Sequence, residues 1–252
     1  MKRLLAPLAA AAALLAAAPA QAQMRLGDSP RWGSFQLSVG AYRPDIDAEF
    51  HGTAAPYQTI FGTSRPLMFS FLFNRSAWVT EVGTLDVGFG GGYWQVWGLG
   101  IYTDPQTGAT SRGSSNSLLV IPIQLAVGYR LDVLYDRWHV PLEPYARISL
   151  YDYIWSASNQ GQVSTWTSPA PNPQEYRGSG QTFGWGATIG AAIVLDFFDP
   201  TLARQMDIDT GINRTLLFLD FTWASVDDFG SSKSWQLGPG YWMWSAGLQF
   251  VF

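Results

Sequence analysis

The sequence predicts an all-β protein that folds as a closed antiparallel transmembrane β-barrel of eight strands. Eight segments alternate large apolar residues with small or polar ones, and the last of them ends the chain at Phe252. Side chains of a strand point to opposite faces in turn, so each segment has one apolar face. The connections between the segments alternate between long and short, which is the pattern of barrels that cross a bilayer.

The first residues have the pattern of an export signal. Two basic residues precede an uncharged apolar run, Leu4–Ala18, and Ala20–Ala22 supplies a small-residue cleavage site. We therefore expect a secretory signal peptide at residues 1–22 and a barrel domain at residues 23–252. A retained membrane anchor is the alternative, against which the alanine-rich run and the cleavage site both argue. The chain has no cysteine, which excludes lipoprotein acylation and disulfides.

The composition favours contact with lipid through strands. Charged residues make up 13% of the chain and aromatic residues 15%, whereas a soluble domain carries about 25% charged residues. Beyond the signal sequence no uninterrupted apolar run reaches the length of about 18 residues that a membrane-spanning helix needs. The net charge of −4 and the lack of a basic patch exclude nucleic-acid binding. Outer-membrane lipid is therefore the expected partner.

The eight strands follow the apolar stripes in order along the chain. The stripes run through Phe35–Ala41, Leu67–Phe73, Leu85–Trp97, Leu119–Leu131, Leu142–Leu150, Phe183–Leu195, Leu217–Trp223 and Tyr241–Phe252. The segments are about 9–15 residues long, and a tilted strand needs about 9–11 residues to cross a bilayer. Eight is an even number, as closed single-chain bacterial barrels require. In the last segment Trp242, Trp244 and Leu248 share a face with Phe252, and that face is expected to meet lipid.

The long connections follow strands 1, 3, 5 and 7, and they are rich in Gly, Ser, Thr, Asn and Pro. They are Arg43–Pro66, Gly98–Asn116, Ala157–Gln181 and Ser225–Pro239. The connections after strands 2 and 4, Asn74–Glu81 and Leu134–Pro141, are short. Short periplasmic turns and long outer loops would place both chain ends on the periplasmic side.

Two features depart from the simple eight-stranded pattern. The connection after strand 6, Phe197–Asn213, is long, and Asp199 followed by Pro200 predicts a short helix capped at its start. A ten-stranded barrel is the alternative if Glu49–Gly62 or Gln162–Thr167 forms an additional hairpin.

Aromatic residues gather at both ends of the apolar stripes, which predicts two interfacial belts. Tryptophan and tyrosine favour the bilayer interface because each ring has an apolar body and a polar atom. The outer belt is predicted at Tyr42, Trp97, Trp155, Trp185, Trp223, Trp242 and Trp244. The periplasmic belt is predicted at Tyr129, Phe197, Phe250 and Phe252. Ordinary cross-strand packing is the alternative explanation.

Charged residues recur on the opposite, inward face. The residues with the correct parity are Asp86, Arg130, Asp132, Glu143, Arg147, Asp196 and Asp220. Charges in the narrow lumen of an eight-stranded barrel must pair or stay hydrated. We expect a salt-bridge plug in which Arg130 and Arg147 bridge the acids. A path for ions or small solutes is the alternative.

Two other classes of protein fit the sequence less well. A soluble β-sandwich or lipocalin-like barrel would turn the apolar stripes inward, and its surface would then be the face of Gly, Ser, Thr and Ala. A lipid-modifying enzyme would hold a serine beside a histidine, and no strand-borne serine is obviously paired with His51 or His139. Asp45, Asp47 and Glu49 could bind calcium, but acids in a loop are more often solvated. We expect no catalytic residue, no cofactor and no metal.

Six segments carry a resemblance to a known family. They are Gly88–Trp94, Ser117–Asp132, Pro141–Leu150, Trp185–Pro200, Met206–Phe221 and Trp244–Phe252. These segments resemble the outer-membrane β-barrel domain family described chiefly from myxobacteria, which is similar in size and architecture to the small OmpX/OmpA-type barrels. The resemblance implies an outer-membrane location and an assembly signal at Phe252 that the barrel assembly machinery reads. It carries over no catalytic residue.

These observations predict an exported, monomeric outer-membrane barrel with a closed lumen and no enzymatic activity. Its function is expected to lie in the four outer loops, in surface contact, adhesion or envelope integrity. The sequence names no extracellular or envelope ligand. A small-solute or ion channel is the first alternative, and a lipid-modifying outer-membrane enzyme is the second.

Overall fold

A computed structural model describes residues 31–103, 108, 110–169, 173–231 and 234–252, so the predicted signal peptide lies outside the described residues. The strands, in chain order, are β1 Gly33–Ala41, β2 Leu67–Val79, β3 Thr84–Thr103, β4 Thr110–Arg130, β5 Leu142–Asn159, β6 Gln162–Val163, β7 Thr165–Thr167, β8 Glu175–Arg177, β9 Ser179–Val194, β10 Arg214–Val226 and β11 Met243–Val251. Eight of them form the wall of a closed antiparallel barrel, in the order β4-β3-β2-β1-β11-β10-β9-β5. The pairing of β4 with β5 completes the ring. The predicted fold class is confirmed.

The seam between the first and last strands closes with complete backbone pairing. Phe35 pairs with Phe250 and Val39 with Ala246 in one continuous antiparallel register. Beyond the strand ends, the backbone amide of Gly33 donates to the Phe252 carbonyl at 2.9 Å, and the Phe252 amide donates to the Gly33 carbonyl at 3.0 Å. The wall therefore has no unpaired edge, because every wall strand has a neighbour on both sides.

The hairpin between β3 and β4 is longer than the sequence predicts. Gly98–Asn116 is predicted as a loop, but Gly98 pairs directly with Asn116, and pairing resumes after an irregularity with Ile101 opposite Arg112. Its Gly, Ser and Asn content resembles that of a loop, yet pairing along the continuing register satisfies the backbone groups. The prediction of a loop was wrong here, and two wall strands extend beyond the rim of the barrel.

The other outer connections contain local structure but add no wall strand. Residues 43–66 hold a 3-10 helix at Ile46–Phe50 and helix α1 at Pro56–Phe61. The glycine at position 98 lets α1 pack on β3, because a Cβ there would lie 2.1 Å from the Ile60 carbonyl oxygen. The two-residue strand β6 turns back and pairs antiparallel with the end of β5, and β7 and β8 form a separate two-stranded sheet. Glu49–Gly62 contains helical segments and no strand. Within Gln162–Thr167, β6 pairs only with the last two residues of β5 and β7 pairs with β8, so neither region supplies a strand that crosses the wall.

The connections at the opposite end of the barrel, predicted to be periplasmic, are short or helical. Helix α2 covers Val133–Trp138, a 3-10 turn covers Leu195–Phe197, and helix α3 covers Pro200–Thr210. The Asp199 side chain accepts a hydrogen bond from the Leu202 amide at 3.0 Å, so the predicted cap is confirmed. No helix in the described part of the chain is long and apolar enough to cross a membrane.

The interior has two apolar clusters. The larger one fills the outer half of the barrel and includes Trp94, Leu118, Val120 and Tyr153. The smaller one lies toward the other end and consists of Ala192, Val194, Leu216, Phe218 and Val251. Polar and charged side chains occupy the lumen beside these clusters, and they form the candidate site.

Candidate functional site in the lumen and on the wall

The outward face of the wall is apolar and exposed. Side chains from four different strands illustrate this: Phe69 is 58% exposed, Val127 51%, Ile148 64% and Ile189 54%. Each belongs to a predicted apolar stripe, so the stripes face outward and the residues that alternate with them face inward. A soluble barrel has the reverse arrangement, because water favours an exterior of polar groups.

Aromatic side chains lie at both ends of this apolar surface. At the outer end Trp97 is 65% exposed and Trp242 52% exposed. At the opposite end Tyr129 is 37% exposed and Phe197 47% exposed. Rings at these levels have the placement that bilayer interfaces favour.

Two members of the predicted outer belt point into the barrel instead. Tyr42 is fully buried, its hydroxyl donates to the Leu237 carbonyl, and its ring meets Trp94 edge-on at 5.0 Å. Trp155 stacks on Trp235 at 4.4 Å. Tyr42 follows the last residue of β1, where the chain turns over the barrel mouth, and Trp155 has the inward parity of β5. Placing them in the belt was therefore wrong.

An upper polar layer in the lumen centres on Arg147 and Asp220. The Arg147 guanidinium donates to Gln36 Oε1 at 3.0 Å and to Asp220 Oδ2 at 3.1 Å. Asp220 also accepts hydrogen bonds from the Tyr145 hydroxyl, at 3.2 Å, and from the Ser245 hydroxyl. The layer joins side chains from four wall strands, so it ties opposite sides of the barrel together.

A lower layer centres on Arg130 and Glu143. Arg130 Nε lies 2.9 Å from Asp132 and 3.7 Å from Glu143, and its Nη2 lies 3.9 Å from Asp86. Glu143, whose side chain is fully buried, also contacts Arg214 Nη1 at 2.5 Å. Glu143 is therefore held between two guanidiniums, and the charges compensate one another within the barrel.

The lower layer continues to α2, which connects β4 to β5. Arg214 pairs with Asp136 of α2, and Arg31 pairs with the same carboxylate at 3.3 Å. Burial by itself would raise the pKa of the Asp136 carboxyl, but the two guanidiniums hold that pKa below its usual range. Asp136 therefore stays ionised at neutral pH and links α2 to the wall.

The structure brings together six of the seven predicted lumen residues, in the two layers above. Asp196 lies apart, on the 3-10 turn after β9, where its carboxylate accepts a hydrogen bond from the Thr215 amide at 3.1 Å. Sequence reasoning missed Arg214, Asp136 and Gln36. Arg214 is an even number of residues from Asp220 and therefore faces inward on the same strand. This spacing could have identified it, but the predicted strand began at Leu217 and did not include it.

The remaining lumen space is small. A cavity of about 60 Å³ lies beside Arg147 and Asp220, and another of about 20 Å³ lies beside Asp86 and Arg130. One water molecule needs roughly 10–15 Å³. These spaces suit a few water molecules and are too small for an organic solute.

The acids of the first outer loop act as separate structural partners. Asp47 accepts hydrogen bonds from the amides of Tyr57 and Gln58, at 2.8 and 3.0 Å, and so caps the start of α1. Glu49 accepts one from the Gln236 amide in the last outer loop, and burial raises the pKa of the Glu49 carboxyl. Within the described residues, no group of three His, Cys, Asp or Glu side chains is placed to hold a metal.

The two histidines occupy the ends of short helices. His51 Nδ1 lies 2.8 Å from the Glu49 carbonyl oxygen, and His51 is exposed in the outer loop. His139 follows the last residue of α2, at the opposite end of the barrel. Both have a left-handed backbone, with φ of 48° and 55°. Each is therefore placed as a helix-ending residue.

Comparisons with known proteins give remote structural likenesses. No family model matches the sequence, and no curated protein matches it. Neisserial surface protein A is 11% identical, with a TM-score of 0.42 over 90% of this chain and 99% of that chain. Ail of Yersinia pestis is 10% identical, with a TM-score of 0.39 over 88% and 99%.

A third solved structure is the N-terminal β-barrel domain of Pseudomonas aeruginosa OprF. It is 13% identical, with a TM-score of 0.32 over 88% of this chain and 99% of that chain. The barrel assignment rests on the strand pairing of this chain itself. The resemblance to the myxobacterial family stays a prediction.

Proposed function

We propose that this chain is a monomeric, non-enzymatic outer-membrane β-barrel with a closed lumen, whose outer loops make contacts at the cell surface. The observation that carries this proposal is the apolar belt, which is the set of exposed apolar side chains, such as Phe69, Val127 and Ile148, on the outward face of a barrel with no free edge. Because the barrel is closed, the backbone N–H and C=O groups of every wall strand can pair with a neighbouring strand, which is the condition for placing strands in hydrocarbon. The belt would be costly in water and is favourable in lipid.

The lumen supports a structural role over transport. Its two charged layers place Arg147 against Asp220 and Glu143 between Arg130 and Arg214. Such pairs join strands across the lumen as well as neighbouring strands, and they fill the interior of an eight-stranded barrel. The engagement of Asp47 and Glu49 in loop packing supports a binding or structural role for the outer loops over metal-dependent chemistry.

The location is tested by separating inner and outer membranes from cells that produce the full chain. The protein is expected in the outer-membrane fraction, and unheated samples are expected to migrate differently from boiled samples in SDS gels. This shift reports a closed barrel that resists SDS until heated. Recovery as a soluble periplasmic protein with no heat-dependent shift would overturn the proposal.

Phe252 is proposed as the position that the barrel assembly machinery reads. Its backbone closes the seam, and its ring packs on Trp32 at 4.8 Å and on Phe73 at 6.3 Å. Phe252→Asp leaves the backbone hydrogen bonds in place, so the finished barrel is expected to keep its heat-dependent shift while the amount in the outer membrane falls severalfold. Phe198→Asp, at a periplasmic ring that is 70% exposed, serves as the control. Equal amounts of the Phe252→Asp and wild-type proteins in the outer membrane would contradict this role.

A further inference from the structure

A cleft of about 430 Å³ opens at the outer rim of the barrel. Trp155 and Trp235 line it from the barrel mouth, and Trp166 and Tyr176 line it from the β7–β8 hairpin. None of these four rings belongs to the charged layers of the lumen. They form a separate aromatic site on the side of the molecule that carries the outer loops.

The rings at the barrel mouth are fixed in place. Trp155 and Trp235 stack with their centroids 4.4 Å apart and their planes inclined by 24°. The Trp155 indole donates a hydrogen bond to the Thr182 hydroxyl at 3.2 Å. One side of the cleft is therefore a preorganised aromatic surface.

The rings on the hairpin are held in an exposed position. Trp166 is 59% exposed and Tyr176 52% exposed, with their centroids 5.5 Å apart. Three backbone hydrogen bonds, of 2.6 to 2.9 Å, tie Ala157, Ser164 and Gly178 together at the base of the hairpin. These bonds fix the hairpin that carries Trp166 and Tyr176, so the two rings are held beside the cleft while they remain exposed.

Polar groups complete the lining. Ser164, Thr165 and Gln181 also line the cleft. Two further polar residues of the lining already have protein partners: the Ser234 hydroxyl donates to the Asp228 carboxylate, and the Arg177 guanidinium lies 3.8 Å from Glu175. A purely apolar partner, such as a hydrophobic peptide or acyl chain, would bury the Ser164 and Thr165 hydroxyls and the Gln181 amide without offering them hydrogen bonds, at a cost for each group. The occupant must therefore present both apolar and hydrogen-bonding surface.

We propose that this cleft binds a pyranose oligosaccharide. A pyranose ring has an apolar C–H face, which stacks on the electron-rich face of an aromatic ring, and a rim of hydroxyls, which pair with serine, threonine and amide groups. A cavity of about 150 Å³ holds a benzene molecule. The cleft is therefore large enough for two or three sugar rings stacked along its aromatic sides.

Isothermal titration calorimetry of the full chain, extracted from membranes in detergent, tests the proposal. The probes are maltohexaose, chitohexaose and the core oligosaccharide released from lipopolysaccharide. At least one of the three is expected to bind. Binding of maltohexaose or chitohexaose would indicate a foreign saccharide, and binding of the core oligosaccharide would indicate a saccharide of the cell's own surface. Trp166→Ala is expected to weaken that binding roughly tenfold, through loss of one stacking face, whereas Trp166→Phe keeps most of it.

Trp138→Ala is the matched control, because Trp138 is 62% exposed on α2 at the opposite end of the barrel. It is expected to bind as the wild type does. Failure of all three probes to bind, or equal binding by the Trp166→Ala and wild-type proteins, would overturn the proposal. The saccharide site depends on the proposed function in one respect only, namely that the outer loops, and with them the cleft, face the outside of the cell. A heat-shifted outer-membrane protein that binds no probe would therefore refute the saccharide site alone.

Discussion

Replacing Ile148 with arginine is expected to remove most of the protein from the outer membrane. Ile148 is 64% exposed on the outward face of β5. It lies between Ala146, which pairs with Tyr129 of the periplasmic belt, and Leu150, which pairs with Trp185 of the outer belt. An arginine on the lipid face near the bilayer midplane costs about 2–4 kcal/mol. The same change on a soluble barrel would cost little, because the side chain would meet water.

Ile208→Arg is the matched control for this experiment. Ile208 is 77% exposed, and it lies on helix α3, which is outside the wall and predicted to be periplasmic. Outer-membrane fractionation and the heat-dependent gel shift are measured for both variants. The Ile208→Arg protein is expected to match the wild type. Equal recovery of the Ile148→Arg and wild-type proteins would contradict the assignment of this face to lipid.

Replacing Glu143 with alanine is expected to destabilise the barrel by about 3–5 kcal/mol, the usual cost of removing one partner of a buried ion pair. The Glu143 side chain is fully buried between Arg130 and Arg214. Its removal leaves two guanidiniums facing each other without the carboxylate that compensates them. Glu143→Gln keeps the packing and part of the hydrogen bonding, so it is expected to cost less than alanine.

The free energy of unfolding is measured by guanidinium chloride titration of the protein refolded in detergent or lipid. Glu81→Ala is the control, because Glu81 is an exposed acid in the turn between β2 and β3. Its free energy of unfolding is expected to match that of the wild type within about 0.5 kcal/mol. A Glu143→Ala barrel as stable as the wild type would show that the lower layer does not support the wall.

The wall was predictable from sequence because its signal is purely periodic. Each face of a wall strand lies in a single environment, lipid or lumen. The alternation in Leu67–Phe73 or Leu217–Trp223 therefore predicts both that the segment is a strand and which of its side chains face outward. The cap of α3 was predictable for a similar local reason, since Asp199 and Pro200 define a helix start without any tertiary contact. In these elements the local pattern and the tertiary fold agree.

The outer mouth of the barrel was not predictable in the same way. Tyr42 follows the end of β1, where alternation stops, and its inward position depends on contacts with Trp94 and the Leu237 carbonyl, which lie far along the chain. The paired continuation of Gly98–Asn116 depends on cross-strand register and not on composition. Arg214 was missed because the apolar alternation that predicted this strand begins only at Leu217, whereas β10 begins at Arg214. These features depend on long-range contacts that parity alone does not describe.

Single-channel recording on planar lipid bilayers tests the closed membrane barrel most directly. The wild-type protein, inserted and verified by its heat-dependent shift, is expected to give no unit conductance steps above the bare bilayer. The charged layers around Arg147 and Glu143 fill the lumen, and the cavities beside them have room for only a few water molecules. Reproducible unit steps from the wild-type protein would contradict the account and identify the lumen as a path for ions.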